Sequence, residues 1–213
     1  MVLTKKLKFK YDENHSFHFP DIGCGAGHSL VITGQSGVGK TTLLHLLAGI
    51  SRPYVGDIYI DNQNICELSS KQLDQFRGKN IGLILQQSHF VEALSVLDNL
   101  IFSSWLSTGH KNKKYALDLL NELNIIDHQH KLTKQLSVGQ QQRLSIARAL
   151  IASPKVLLAD EPTSSLDDDN TYLVANLLQS LAAKFQTALV IVSHDQRLKN
   201  IFPQHLNLQK HVS

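Results

Sequence analysis

Eight consecutive residues, Gly34-Gln35-Ser36-Gly37-Val38-Gly39-Lys40-Thr41, carry the spacing GxxxxGK[ST], and that spacing has a chemical reading. Glycines let successive backbone N–H groups turn inward around a phosphate, and a helix opening directly afterwards adds the positive end of its dipole. Lys40 would then neutralise the β- and γ-phosphates of a nucleoside triphosphate. The Thr41 hydroxyl would meet Mg²⁺, and Thr42 continues the same turn. The context agrees, with Leu30-Val31-Ile32 before the loop and Thr42-Leu43-Leu44-His45-Leu46-Leu47 after it. A glycine-rich turn that only caps a helix is the competing reading. With Gly near 7% of residues a chance match is on the order of 1%, so phosphate binding is preferred. The loop marks a triphosphate site without naming a reaction, since kinases, GTPases and motors share it.

A second chemical group lies far along the chain. Val156-Leu157-Leu158-Ala159 is an apolar run that ends in Asp160-Glu161, and charge at the end of a buried strand is costly unless something there requires it. A metal site supplies the requirement: Asp160 would hold Mg²⁺ where ligands of α/β sheets collect, and Glu161 would polarise an attacking water. A strand that simply exits to solvent can end the same way.

The elements that must position these groups follow from hydrophobic periodicity. Strand-like runs over residues 28–33, 79–85, 155–159 and 188–192 each lead into turn residues and helical patterns, which predicts an α/β fold with a largely parallel core sheet. Leu7-Lys8-Phe9-Lys10-Tyr11 and Asp57-Ile58-Tyr59-Ile60-Asp61 alternate instead, as half-exposed antiparallel strands do. The sheet is therefore expected to be mixed. Between residues 86 and 136 the period turns helical, with Val96, Leu97, Leu100 and Ile101, then Ala116, Leu117, Leu119, Leu120 and Leu123, broken near Thr108-Gly109. That segment reads as a helical insertion.

Composition narrows the partners. The 21 basic against 18 acidic residues gather lysines only in short groups, at Lys5, Lys6, Lys8 and Lys10 and at Lys111, Lys113 and Lys114, which read as solvated faces. A dense basic stripe with interleaved aromatics is lacking, so no direct nucleic-acid contact is expected. No apolar run approaches the roughly 20 residues of a bilayer span, and Met1-Val2-Leu3-Thr4-Lys5-Lys6 turns polar early, so a cytoplasmic location is expected. Cys24 and Cys66 are far apart, as reduced thiols. His128 and His130 are spaced like a metal pair but have no thiol or third ligand nearby and read as surface loop.

Leu136-Ser137-Val138-Gly139-Gln140-Gln141-Gln142-Arg143 closely resembles the LSGGQ signature of ABC ATPases. The resemblance continues through Gln86 of the Q-loop, Ser164-Ser165-Leu166-Asp167 of the D-loop and Ser193-His194-Asp195 of the switch region. It implies a P-loop NTPase fold of α/β class, with a mixed, mainly parallel core sheet, an N-terminal antiparallel β lobe and a helical insertion. The whole of 1–213 would form one ATPase domain, with core and β lobe in 1–85 and 155–213 and with Q-loop, helical subdomain and signature helix in 86–154. It further implies ATP and Mg²⁺ as cofactors and a composite site, in which the phosphate loop of one copy faces Ser137, Gly139 and Gln140 of a second. Tyr11 would stack on adenine, with Phe9 or Phe17 as lesser candidates. Glu161 would be the general base, His194 a γ-phosphate sensor bracing it and Gln86 a link between Mg²⁺, water and partner, with Lys40 counted among the catalytic residues as the cation on the β- and γ-phosphates. Asp167 would join the two copies.

From Ile81-Gly82, Gln86-Gln87 and Ser95-Val96-Leu97-Asp98-Asn99 the chain is most similar to stand-alone ATPases of the lipoprotein-release and macrolide-efflux type. The resemblance implies a second copy of the chain and an integral membrane permease as partners, with the ATPase peripheral at the inner face of the cell membrane. A nucleotide-gated regulator of a membrane complex, or an ABC protein acting on nucleic acid, are the readings from other classes. Two departures from the family pattern stand out. Val138 replaces the first signature glycine with a β-branched residue, which questions turnover without abolishing it. The sequence ends soon after His194, so control through a C-terminal extension is not expected.

Overall fold

The computed structural model describes residues 1–12, 15–87, 89–164 and 166–209. Its first third holds β1 (Val2–Lys10), β2 (Ser16–His18), β3 (Gly23–Cys24), β4 (Ser29–Thr33), α1 (Lys40–Leu47), β5 (Val55–Ile60) and β6 (Gln63–Asn64). Next come α2 (Ser70–Asn80), β7 (Ile81–Ile84), α3 (Val96–Thr108), α4 (Lys113–Glu122) and α5 (Val138–Leu150). The chain closes with β8 (Val156–Asp160), α6 (Asp168–Lys184), β9 (Ala188–Ser193) and β10 (His205–Asn207).

The strands form two sheets. One is antiparallel, in the order β2-β1-β5-β6 with β3 also on β1, and the other is parallel, in the order β10-β4-β9-β8-β7. The expected mixture of pairings is thus divided between two sheets rather than combined in one. Burial explains the division. β4 and β9 are buried at every position, as strands covered on both faces must be. β1 instead exposes its lysines and turns Val2, Thr4 and Leu7 inward. Its alternation slips at a bulge between Lys5 and Lys8, where Lys6 has φ 50° and two successive lysines face solvent.

The parallel sheet separates two cores, and strand parity decides which side chain enters which. Val31, Leu157, Ala159, Leu189 and Ile191 point to the side of α3, α4, α5 and α6. Leu30, Ile32, Val156, Leu158, Val190 and Val192 point to α1 and the antiparallel sheet. On the first side α5 lies close against β7, because Gly82 has no side chain: a Cβ there would sit 2.3 Å from the Ala149 carbonyl oxygen.

One strand boundary expected from the sequence changes. The run 79–85 begins as strand only at Ile81, since Lys79 and Asn80 finish α2, a helix capped by a Ser69–Gln72 capping box. Arg77 and Lys79 in its last turn suit the negative end of the helix. The edge strand β10, in register with Val31, Ile32 and Thr33 of β4, has too short an apolar pattern to be read beforehand. The break at Thr108-Gly109 is present, with Gly109 at φ 79° closing α3.

Candidate functional site

The phosphate loop begins where β4 ends and closes into α1. Gly37 and Gly39 adopt φ 80° and 99°, a conformation open to glycine and strained for other residues. Space is restricted too, since a Cβ at Gly39 would lie 2.7 Å from the Phe17 ring. Gly39 is the N-cap of α1 and offers no side-chain bond, so the first N–H groups of the helix are left for a ligand. Lys40 is buried and its ammonium donates to the carbonyls of Gly34 and Gln35 at 2.9 and 3.1 Å. Gln35 and Ser36 are exposed. The Val38 side chain turns away into the core, leaving only its backbone for the loop.

A cavity of about 410 Å³ lies over this loop, lined by Phe17, Ser36, Gly37, Gly39, Lys40, Thr41, Thr42, Gln86, Asp160, Glu161 and His194. Five segments distant in sequence thereby converge on one cleft. The acids come from the end of β8, as the sequence predicts. Burial and the adjacent Glu161 raise Asp160 above the usual carboxylate range, against the lowering influence of His45, the Thr41 hydroxyl and Lys40. One Asp160 carboxylate oxygen is buried without a hydrogen-bond partner among the described residues. A buried acceptor beside a threonine hydroxyl is a donor set suited to a hard divalent cation that also holds phosphate oxygens. No cluster of three His, Cys, Asp or Glu suited to a metal occurs among the described residues.

Glu161 sits at φ 48°, a left-handed conformation that costs a non-glycine residue on the order of 1–3 kcal/mol and tends to mark functional sites. Its carboxylate accepts from the Ser193 hydroxyl at 2.7 Å and from the His194 backbone N–H at 3.0 Å, and it meets His194 Nδ1 at 2.9 Å. The His194 ring is largely exposed. Gln86 donates its amide to the Ser164 hydroxyl at 3.3 Å, joining the loop after β7 to the loop after β8. Ser165 lies outside the described residues.

Tyr11 is 63% exposed. Its hydroxyl pairs with the Thr42 hydroxyl at 3.1 Å, and its ring stands edge-on to Phe9 and Phe17. Phe17, and not Tyr11, lines the phosphate cleft. Ser137, Gly139 and Gln140 are absent from that lining. Ser137 is instead the N-cap of α5 and forms a capping box with Gln140, while Val138 is 66% exposed and a Cβ at Gly139 would meet nothing within 4 Å. Asp167, from the neighbouring loop, caps α6 by accepting from Asn170 N–H at 2.9 Å.

Several polar links escape sequence reasoning because most of them join residues remote in sequence. Arg197 binds Asp195 through Nε and Nη2 at 2.8 Å each, and also reaches Asp168 and the Leu166 carbonyl. Thr163 donates to the same Asp195 carboxylate at 3.0 Å. Hydrogen bonding from Arg197 holds Asp195 below the usual carboxylate range, against burial. The residues after His194 are thereby pinned to the start of α6. His128 also departs from expectation: it is half-buried and its Nε2 lies 2.7 Å from Gln140 Nε2, whereas His130 is exposed. Away from this cleft, a cavity of about 430 Å³ opens between α2, α3, β7 and α5. Phe102, Trp105 and Leu106 of α3 are exposed beside it.

The family model for ABC transporter matches residues 20–164. The chain is 37% identical over 174 residues to the lipoprotein-releasing system ATP-binding protein LolD of Buchnera aphidicola subsp. Acyrthosiphon pisum, spanning 81% of this chain and 76% of that protein. It is 36% identical over 196 residues to the protein of the same name from Psychrobacter arcticus, spanning 89% and 85%. Among solved structures it is similar to a dimeric post-hydrolysis state of the ATP-binding cassette MJ0796 bound to ADP and Pi. That match has a TM-score of 0.84, 29% identity and coverage of 99% of this chain and 95% of the other. No helix among the described residues is long and apolar enough to cross a membrane.

Proposed function

The chain belongs to the ABC transporter family, and we propose that it is the ATP-hydrolysing subunit of a transporter whose permease is a separate protein, powered by closure of two copies around ATP. The observation that carries this reading is the separation of two half-sites. The phosphate cleft gathers residues from five segments, while the signature lies outside it, exposed at the start of α5 with no side chain covering Gly139. A helix N-terminus so presented is complementary to the γ-phosphate held in a second copy.

The residues then divide the work. The loop N–H groups of residues 34–41 and the Lys40 ammonium cradle the phosphates, and Tyr11, with Phe17 beside it, receives the adenine. Thr41, Asp160 and Gln86 would hold Mg²⁺, which when bound neutralises phosphate charge. Glu161 takes the proton of the attacking water; His194, hydrogen-bonded to it, keeps the carboxylate oriented and meets the γ-phosphate. Ser137, Gly139 and Gln140 of the second copy complete the cage, and Asp167 joins the copies. Release of ADP and phosphate reopens the pair.

The cavity beside Phe102, Trp105 and Leu106 supports a seat for the permease there, since exposed aromatic and aliphatic side chains around a groove mark a binding face. That seat would hold the chain at the inner face of the membrane. The names of the two relatives, both lipoprotein-releasing system ATP-binding proteins, support a partner of the lipoprotein-release type. The test is the Glu161→Gln protein, with its permease if they co-purify, at saturating ATP and Mg²⁺. It should run at dimer mass in light scattering and return to monomer when ATP is removed. A persistent monomer would refute the closure reading.

A further inference from the structure

The signature glutamine has a partner that the family motif does not include. Gln140 closes the capping box at the start of α5: its Oε1 accepts from Ser137 N–H at 3.0 Å, and its own N–H donates to Ser137 Oγ at 3.3 Å. With Oε1 committed, the amide must turn its NH₂ the other way. There it meets His128 Nε2 at 2.7 Å, from the short 3₁₀ turn Ile126–His128 that follows α4.

That contact has one consistent proton assignment. An amide NH₂ only donates, so His128 Nε2 must accept and the ring proton must reside on Nδ1. Nδ1 is itself buried without a partner among the described residues. Turning the amide over would let Nε2–H donate to Oε1, but would then point NH₂ at Ser137 N–H, setting donor against donor. The orphaned Nδ1–H is therefore what the ring accepts in exchange for holding Gln140.

We propose that His128 is a positioning residue for hydrolysis: as the neutral Nδ1–H tautomer it locks the Gln140 amide, and through it the Ser137 capping box, in the form that meets the γ-phosphate bound by a second copy. The proposal rests on the reading of Ser137, Gly139 and Gln140 as acting in trans. Ser137, Val138 and Gly139 are exposed, so a loose Gln140 would leave that first turn free to fray. His128 acts on the half-site that only the closed dimer uses, so ATP binding by the same chain's own phosphate loop is independent of it.

Two measurements test this. In the ¹⁵N-histidine-labelled full chain, with His128 assigned by its loss in His128→Gln, the ring should show the fixed Nδ1–H pattern. An Nε2–H pattern or an averaged one overturns the proposal. In steady-state ATP turnover, His128→Leu should lower kcat about tenfold, the effect of one amide left unpaired, with KM unchanged and the melting temperature lowered by no more than about 6 °C. His128→Gln, whose Oε1 can accept from Gln140, should restore most of kcat. Equal impairment of both variants, unchanged turnover in His128→Leu, or a joint fall of kcat, nucleotide affinity and melting temperature each overturns it. Absence of turnover in the unaltered chain and its permease complex would instead sink the proposed function, while the ring tautomer would still judge the contact.

Discussion

Gly82→Ala isolates the contact between the parallel sheet and the signature helix. The new Cβ would stand 2.3 Å from the Ala149 carbonyl oxygen and 2.9 Å from Leu157 Cδ1, where ordinary contact begins at 3.4 Å. The Leu157 methyl can rotate, but the Ala149 carbonyl is helix backbone, so α5 must retreat by about 1 Å to relieve the clash. Overpacking of this kind costs about 1–3 kcal/mol, and a yielding group that is backbone argues for the upper half of that range. At about 2–4 °C per kcal/mol for a chain of this size, the unfolding midpoint should fall by about 4–12 °C. The same displacement moves Ser137 and Gly139, and a misplacement of about 1 Å can cost on the order of 100-fold in rate. Turnover should therefore fall at least tenfold, while fluorescent-nucleotide titration reports unchanged binding by the phosphate loop. A midpoint within about 1 °C of the unaltered protein, with turnover within twofold, would refute the argument that Gly82 sets the seat of α5.

Two further variants probe the phosphate cleft. Lys40→Ala removes a buried ammonium bonded to Gly34 and Gln35 and should weaken ATP binding by about 2–3 kcal/mol, on the order of a hundredfold; a titration showing a change below threefold would contradict the role given to Lys40. Asp160→Asn should raise the unfolding midpoint of the nucleotide-free chain at neutral pH. The folded carboxyl is held above its ordinary range by burial and Glu161, so its charge opposes folding once pH exceeds the unfolded value. The same substitution should abolish Mg²⁺-dependent turnover, and a variant both less stable and fully active would contradict the metal assignment.

Much of the site is legible in the chain because its chemistry is local. Residues 34–41, the proposed phosphate nest, are consecutive in the chain, so their order is their geometry. Ser137 and Gln140 cap a helix across three residues, and Asp160-Glu161 ends a strand, all within the reach of pattern. Likewise the alternation around Leu7 and Phe9 marks half-buried strands, although it does not say that they leave the core sheet for one of their own.

What sequence order cannot express is which distant loops share a cleft. Ser193 and His194 reach Glu161, Arg197 reaches Asp168 and Leu166, and Phe17 rather than Tyr11 stands against the phosphate loop. Those pairings depend on where parallel strands end beside one another, a matter of packing two cores on one sheet. His128 is the clearest case. Its sequence surroundings resemble any polar loop, and only the seating of the turn after α4 on α5 brings its ring to Gln140. The sequence by itself determined the nucleotide chemistry, because that chemistry is written in consecutive backbone and short-range caps. The tertiary structure alone decided which side chains hold those groups in place, because long-range hydrogen bonds exist only once the core has set the distances between loops.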